Sequence, residues 1–263
     1  MTDVLGLDVS DRVATVTLDR PKARNALNRD LRRALHRTMQ QVADDDGVDV
    51  VILTGSDPAF CAGLDLKELG ASADASVDAL ASDDEKAPPQ DRGPFPRIAK
   101  PVIGAINGVA ITGGFELALR CDLLIASERA AFADTHARVG IMPDWGLTVL
   151  LPQAVGVRRA RELSTTGNFL DARTALSWGL VNHVVPHAEL LPFCRSLAAD
   201  IVSNDQRGVR RILQTYEEGA LLTAGDAWQL ETTVAKTWQG EGLDPAAIEA
   251  RRAAVTERGR TQV

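Results

Sequence analysis

The chain opens on two short segments in which apolar and polar residues alternate. VLGLDV and RVATVTLD stand two residues apart, and in the second segment Val16 and Leu18 alternate with Thr15 and Thr17. A period of two is typical of a strand with one buried face, and a short gap between two such strands is typical of a turn. The pattern therefore predicts a β-hairpin at the start of the fold.

From position 28 onward the period becomes that of a helix. Leu31, Leu35, Met39 and Val42 recur at intervals of three to four residues after Asn28, while arginines occupy the other faces. This spacing places the four apolar side chains on one side of a helix, and asparagine is a common N-terminal cap. We predict an amphipathic helix that Asn28 caps and whose arginines face solvent.

The remaining apolar runs predict alternating strands and helices. Residues 70–97, rich in Ala, Ser, Asp and Pro, predict a mobile surface excursion, and the chain is helical in character after about Ala188. Units of two strands and a helix therefore recur, which predicts an α/β fold. The runs are VDVVILTG and KPVIGAINGVAI as strands, GGFELALRCD as a helix, LLIASERAAFAD as a hairpin, and DARTALSWGLVNHVV as a helix that stops at Gly179 before another strand.

Composition and charge narrow the classes of function. Of the 263 residues, 45% are apolar, which supplies a packed core, and the net charge of -7 argues against nucleic acid and anionic membranes as partners. The apolar run from Lys100 to Arg120 is interrupted by glycines and by Glu116, so we interpret it as buried core. Three widely spaced cysteines and the absence of a secretory leader predict no disulfide framework, no metal site and a cytoplasmic location.

Two glycine-bearing loops are candidates for chemistry. AFCAGLDL follows a predicted strand and precedes a helix, so that Gly63 would allow close approach of a ligand and leave the Leu64 N–H free to donate. Gly113 and Gly114 stand at a second junction of this kind, where the first N–H groups of a helix lack partners. Two such donors on one carbonyl oxygen would form an oxyanion hole, whereas either loop alone is explained by the turn it makes.

The pairing of these loops resembles the crotonase superfamily, the enoyl-CoA hydratase/isomerase family. The likeness is carried by AFCAGLDLKEL and PVIGAINGVAITGGFELALRCDLLIAS, and it extends from the first hairpin through RPKARNALN to LVNHVVP. It implies a spiral of ββα units with an acyl-CoA site over residues 1–190. It also implies a helical region over residues 191–263 that covers the pocket and forms a homotrimer or a homohexamer.

The resemblance assigns binding roles to five residues. The backbone N–H groups of Leu64 and Gly113 would hold the thioester oxygen of an acyl-CoA and stabilise its enolate. The carbonyl groups of Ala62 and Leu64 would bind adenine, and Lys22 and Lys67 would lie near the CoA phosphates unless they are plain surface charge. No cofactor and no metal are implied, since coenzyme A is part of the substrate.

The resemblance also points to three candidate catalytic residues. Glu116 matches the first of the two catalytic glutamates of hydratases; the alternative is a structural carboxylate paired with Arg120 or another cation. His136 stands where hydratases carry their second glutamate, and it either takes part in proton transfer or is structural. Asp144, in MPDWG, matches a working aspartate of related isomerases and dehalogenases, or else caps a helix that starts near Trp145.

Three functional hypotheses follow. The first is hydration of a trans-2-enoyl-CoA in fatty-acid or related acyl-CoA metabolism, with Glu116 as the principal acid/base. The second is another lyase or an isomerase that moves a double bond by proton transfer between Glu116 and Asp144. The third is a non-catalytic acyl-CoA carrier or sensor. Cys61 is expected to be a small apolar filler in each case.

Overall fold

The computed structural model describes residues 4–71, 92–240 and 245–262. Most of the predicted surface excursion, residues 72–91, lies outside the described residues. The chain forms two compact units, residues 1–209 and residues 210–263. The second unit consists of the end of helix α9, helices α10 and α11 and their connections, so the predicted helical character of the C-terminal part is confirmed. Its roles in oligomerisation and pocket cover stay predictions.

The first unit contains all the strands of the described residues. The strands are β1 Leu5–Ser10, β2 Val13–Leu18, β3 Val50–Gly55, β4 Ala59–Cys61, β5 Val102–Ile106, β6 Val109–Ile111, β7 Leu123–Ser127, β8 Ala131–Ala133, β9 Leu170–Asp171 and β10 His183–Val185. The α-helices in the described parts of the chain are α1 Arg29–Asp44, α2 Leu66–Ala71, α3 Gly113–Leu119, α4 His136–Val139, α5 Leu147–Val155, α6 Val157–Thr166, α7 Ala172–Trp178, α8 Leu190–Val202, α9 Gln206–Gly219, α10 Ala224–Gly240 and α11 Pro245–Gln262.

The strands form two sheets, and successive strands from β3 to β8 alternate between them. The six-stranded sheet has the order β1-β2-β3-β5-β7-β10 and is parallel except for β1, and the four-stranded sheet has the order β4-β6-β8-β9. The strand pairs β3 and β4, β5 and β6, and β7 and β8 each send one strand to each sheet before a helix follows. The predicted α/β fold with repeating ββα units is therefore confirmed.

Local signals in the sequence specify several of these elements correctly. The predicted hairpin is the antiparallel pair β1 and β2, and the Asn28 side chain caps α1 by accepting the Leu31 N–H at 3.0 Å. The four apolar residues predicted to face the core from α1 are all buried. Asp171 caps α7 in the same way, and Gly179 ends that helix with a left-handed conformation.

Two predictions about strands are wrong. The segment KPVIGAINGVAI is not one strand, because it breaks at Asn107 and Gly108 into β5 and β6, which belong to different sheets. The Asn107 side chain bonds the backbone at Gly55 and Ala59, and a Cβ on Gly108 would lie 2.4 Å from the carbonyl oxygen of Pro58. The segment LLIASERAAFAD is not a hairpin either, because β7 and β8 enter different sheets. Tertiary contacts decide both outcomes.

The core lies on both faces of the six-stranded sheet. In β3, Val51 and Leu53 pack with α1 and α3, whereas Val50 and Ile52 pack with the buried residues of α8 on the opposite face. This two-sided burial explains why VDVVILTG is apolar without alternation. None of the helices in the described ranges is long and apolar enough to span a membrane.

Candidate active site

The loop after β4 orients the N–H group of Leu64. Leu27 donates its N–H to the carbonyl oxygen of Gly63 at 2.7 Å and accepts the N–H of Asp65 at 3.2 Å. These bonds form an isolated parallel bridge between Leu27 and Leu64. In such a bridge the N–H and C=O of the middle residue point away from the partner segment. The Leu64 N–H therefore points away from Leu27, and it has no backbone acceptor within the described parts of the chain.

The junction between β6 and α3 supplies a second N–H group. Thr112 has φ 53°, a region that β-branched residues rarely adopt, and it turns the chain sharply from the strand into the helix. Gly113 is the first residue of α3, so its N–H has no acceptor within the helix, and none of the loop bonds among described residues uses it. A backbone outlier such as Thr112 is common at functional sites.

Glycines allow the two loops to touch. A Cβ on Gly63, whose φ is 87°, would lie 2.7 Å from the carbonyl oxygen of Ile111 and 3.4 Å from the nitrogen of Gly113. A Cβ on Gly114 would lie 2.1 Å from the carbonyl oxygen of Cys61. The backbones of the two loops are therefore in contact, which puts both N–H groups in the same region. Two such donors can stabilise one developing oxyanion.

Glu116 lies one turn into α3 and is only 3% exposed. Its Oε1 atom accepts the backbone N–H of Trp145 at 2.9 Å, and its Oε2 atom lies 3.5 Å from Nε2 of His136. Arg120 is not one of these partners, but the structural alternative allows another cation, and His136 is one when its ring is protonated. The carboxylate is held instead between a backbone donor and an imidazole.

His136, the first residue of α4, lies between two carboxylates. Its Nδ1 atom donates to Oδ1 of Asp134 at 2.6 Å, and its Nε2 atom faces Glu116. Burial lowers the pKa of His136, but hydrogen bonds and attraction to both carboxylates outweigh burial and raise the pKa to about 9. Burial conversely raises the pKa of Asp134, and hydrogen bonds from His136 and Ser164 overcome this effect and lower it. The ring is therefore an imidazolium at neutral pH.

This geometry places a cationic acid beside a carboxylate. The imidazolium can give up a proton from Nε2, and the neighbouring carboxylate can accept one. The structure thus brings together Glu116 and His136, two of the three catalytic candidates, in one buried cluster.

Asp144, the third candidate, is exposed. No hydrogen bond or ion pair joins its carboxylate to Glu116 or His136, although its neighbour Trp145 bonds Glu116 through the backbone. The prediction that Asp144 caps a helix is wrong: α5 begins at Leu147 after Gly146, which has φ 93°, and no side chain caps it. The chain turns at Gly146 before the helix starts, which leaves Asp144 outside the first turn.

The predicted CoA-binding residues lie on adjacent segments. Lys22 belongs to a 3-10 helix at Pro21–Ala23 and Lys67 to α2, and both side chains are exposed. The two segments are joined through Arg20, whose guanidinium bonds the carboxylate of Asp65 at 3.0 Å. The two lysines therefore lie near the same edge of the loop after β4, where they are accessible to an anion.

Ala62, in the same loop, is half-buried and donates its N–H to the carbonyl oxygen of Arg24 at 3.0 Å. Cys61 is fully buried, and burial raises the pKa of its thiol to about 12. It is therefore a neutral thiol in an apolar setting, which agrees with its expected role as a filler.

Sequence reasoning missed two groups of the site. Asp134 holds Nδ1 of His136, and the backbone N–H of Trp145 holds Glu116. An aspartate two residues before a histidine is a visible signal for the first, since so short a spacing lets the carboxylate reach the ring. The second leaves no trace in the sequence, because every residue except proline carries a backbone N–H.

Comparisons with known proteins agree on the family. Residues 8–241 match the profile of the family described as enoyl-CoA hydratase/isomerase. The chain is 43% identical to the probable enoyl-CoA hydratase 1, peroxisomal, of Arabidopsis thaliana, over 84% of this chain and 81% of that protein. It is 35% identical to the crotonyl-CoA hydratase of Syntrophomonas wolfei, over 94% of this chain and 95% of that protein. The crystal structure of an enoyl-CoA hydratase from Mycobacterium smegmatis is similar with a TM-score of 0.74 and 50% identity, over 91% of this chain and all of that one (100%).

Proposed function

Because the chain belongs to the enoyl-CoA hydratase/isomerase family, we propose that it adds water across the double bond of a trans-2-enoyl-CoA in fatty-acid or related acyl-CoA metabolism. The N–H groups of Leu64 and Gly113 bind the thioester oxygen. Glu116 is the base and His136 is the acid. The observation that carries the proposal is the 3.5 Å contact between Nε2 of His136 and Oε2 of Glu116 in a buried site.

The two backbone donors stabilise the enolate. When the oxygen of water attacks Cβ, the electron pair of the double bond moves toward the thioester carbonyl, and negative charge develops on its oxygen. Removing one donor from an oxyanion hole typically costs about 2.7–4 kcal/mol in the transition state. The contact between the loops of Gly63 and Gly113 supports binding of one oxygen by both groups.

The proton transfers close a complete cycle. Glu116 takes a proton from water as the new C–O bond forms, and His136 gives the Nε2 proton to Cα, which converts the enolate to a 3-hydroxyacyl thioester. Glu116 is then neutral and His136 is neutral. Transfer of the proton from Glu116 to Nε2, across the contact seen at 3.5 Å, restores the starting state. The substrate gains one water and nothing is oxidised or reduced.

The first test is hydration of crotonyl-CoA and of a longer enoyl-CoA, followed by the loss of absorbance of the conjugated thioester. Glu116→Gln replaces the carboxylate with an amide that cannot accept a proton, and we expect kcat to fall by about 10²–10⁴-fold. The matched control is Glu128→Gln, an exposed carboxylate, which should keep the wild-type rate. A folded wild type that binds the thioester but never hydrates it would contradict the proposal. Deuterium exchange into the acyl chain would then identify an isomerase, and its absence a carrier.

Further details of the assignment are proposals of the same kind. Lys22 and Lys67 bind the CoA phosphates, which their exposure permits, and the carbonyl groups of Ala62 and Leu64 bind adenine. A homotrimer or homohexamer and a cytoplasmic location stay predictions from the sequence.

A further inference from the structure

Asp134 is buried beside the proposed acid and has no role in the chemistry described above. It is 2% exposed, and its Oδ1 atom lies 2.6 Å from Nδ1 of His136 and 3.2 Å from the backbone nitrogen of the same residue. The side chain of Ser164, on α6, also lowers the pKa of this carboxylate. The ring and backbone N–H groups of His136 therefore hold the carboxylate against the imidazole.

The contact fixes which ring nitrogen faces Glu116. A carboxylate opposite Nδ1 requires a hydrogen on that nitrogen, so the ring cannot turn over or take the other neutral tautomer without losing the bond. With Nδ1 held, Nε2 is directed at Oε2 of Glu116. Only Thr135 separates Asp134 from His136 at the start of α4, so the chain itself keeps the carboxylate close to the ring.

We infer that Asp134 is a positioning residue that fixes the imidazole of His136 and keeps it charged as the proton donor. This role rests on the proposed hydration. Two anionic groups face the ring: Glu116 from α3 and Asp134 from the segment after β8. Ser164, from α6, acts on the ring only through Asp134 and carries no charge.

The sign of the effect on pH dependence follows from the charges. An anion beside an imidazolium favours the protonated form, so loss of the Asp134 charge lowers the pKa of His136. Activity that needs a protonated His136 falls as the pH rises through that pKa. The alkaline limb of kcat/KM, which reports the free enzyme, must therefore move to lower pH when the charge is removed.

The test compares Asp134→Asn with Asp57→Asn. Asparagine keeps an oxygen that can accept from Nδ1 but removes the charge. We expect the alkaline limb of kcat/KM to move down by about one pH unit or more, with little change in KM. At pH values above the alkaline limbs of both proteins, the variant should therefore be approximately tenfold slower than the wild type. Asp57 is the matched control, since its Oδ2 atom lies 3.0 Å from Nε2 of His187 outside the site, and Asp57→Asn should keep the wild-type profile. An Asp134→Asn profile that overlays the wild-type profile would overturn the inference.

A second measurement does not depend on turnover. The chain has four histidines, so NMR titration resolves their ring signals, and the signal lost in His136→Gln identifies His136. In the wild type its midpoint should lie near 9, far above the ordinary value of 6.5. A midpoint at or below the ordinary value would overturn the inference even in an active hydratase. The two proposals can also fail separately. If the wild type hydrates no enoyl-CoA, the proposed function is rejected. A raised His136 midpoint in that wild type and a lower midpoint in Asp134→Asn would still confirm how Asp134 acts on the ring.

Discussion

Two histidines of this protein lie between an aspartate and a second polar group, and they have different surroundings. His136 bonds Asp134 through Nδ1 and faces Glu116 through Nε2. His187 bonds Asp57 through Nε2 at 3.0 Å and Ser127 through Nδ1 at 3.0 Å. By residue type, the second set of aspartate, histidine and serine has the more familiar catalytic composition.

Burial and access separate the two sets. The side chains of His136 and Asp134 are 5% and 3% exposed, whereas those of His187 and Asp57 are 19% and 62% exposed. The would-be nucleophile of the second set, Ser127, is fully buried, and its hydroxyl already accepts the N–H of Arg129 at 3.1 Å. A substrate therefore cannot reach it. The set instead ties the ends of β7 and β10 to the loop between β3 and β4.

The difference shows that residue types alone do not define a site. The set around His136 places an acid beside a base and lies next to two loops with unpaired N–H groups. The set around His187 satisfies its hydrogen bonds internally and leaves nothing to react. Three measurements can break or sharpen this contrast, beginning with the largest expected effect.

The first measurement replaces each histidine in turn. In His136→Gln the site loses its proposed proton donor, and we expect kcat for hydration of crotonyl-CoA to fall by about 10²–10⁴-fold. In His187→Gln the rate should stay at the wild-type level, with at most a small loss of stability from the broken surface contacts. Equal losses of rate in the two variants would remove the distinction between the two sets.

The second measurement is the pH dependence of stability. The folded pKa of His136, about 9, lies above the ordinary value of 6.5, so its contribution to the free energy of unfolding is complete below about pH 6.5 and disappears as the pH rises through 9. The loss amounts to roughly 3 kcal/mol, because one pKa unit corresponds to about 1.36 kcal/mol. Urea denaturation at pH 6.5 and 9.5 should show this loss in the wild type and in His187→Gln. A similar loss in His136→Gln would assign it to another group.

The third and smallest effect concerns the other donor to Glu116. The backbone N–H of Trp145 bonds the carboxylate, whereas the buried indole Nε1 has no hydrogen-bond partner among the described residues. Trp145→Phe removes that orphan donor and keeps the backbone, so loss of an unsatisfied group offsets loss of packing. We expect the free energy of unfolding to change by about 1 kcal/mol or less and kcat by less than about tenfold. A collapse of kcat would instead show that the indole itself takes part in the site.

Much of the fold could be predicted because its signals are local. Asn28 caps α1 from three residues away, Asp171 does the same for α7, and the alternation in RVATVTLD marks β2. The loops of Leu64 and Gly113 and the carboxylate of Glu116 could be predicted as well, through the resemblance of their motifs to a family. All of these depend on residues close together in sequence or on a recognisable order of letters.

The two strand predictions failed because they depended on distant partners, whereas the helix-cap prediction for Asp144 failed for a local reason. Asn107 and Gly108 end one strand and begin another because of contacts with Gly55, Pro58 and Ala59, roughly fifty positions earlier. Asp144 is no cap because the chain turns at Gly146. Periodicity describes which side of an element is buried, but it does not say which sheet the element joins.

The sequence by itself therefore determined most of the elements, their order and the candidate residues of the site. The tertiary structure decided the chemistry of those residues. Glu116 meets His136 and the N–H of Trp145 across separations of twenty and twenty-nine positions, and only folding brings them within 3.5 Å and 2.9 Å. Local preference is set by neighbours a few residues away, whereas burial and the charges opposite a side chain, which together set its protonation, depend on where the whole chain places it.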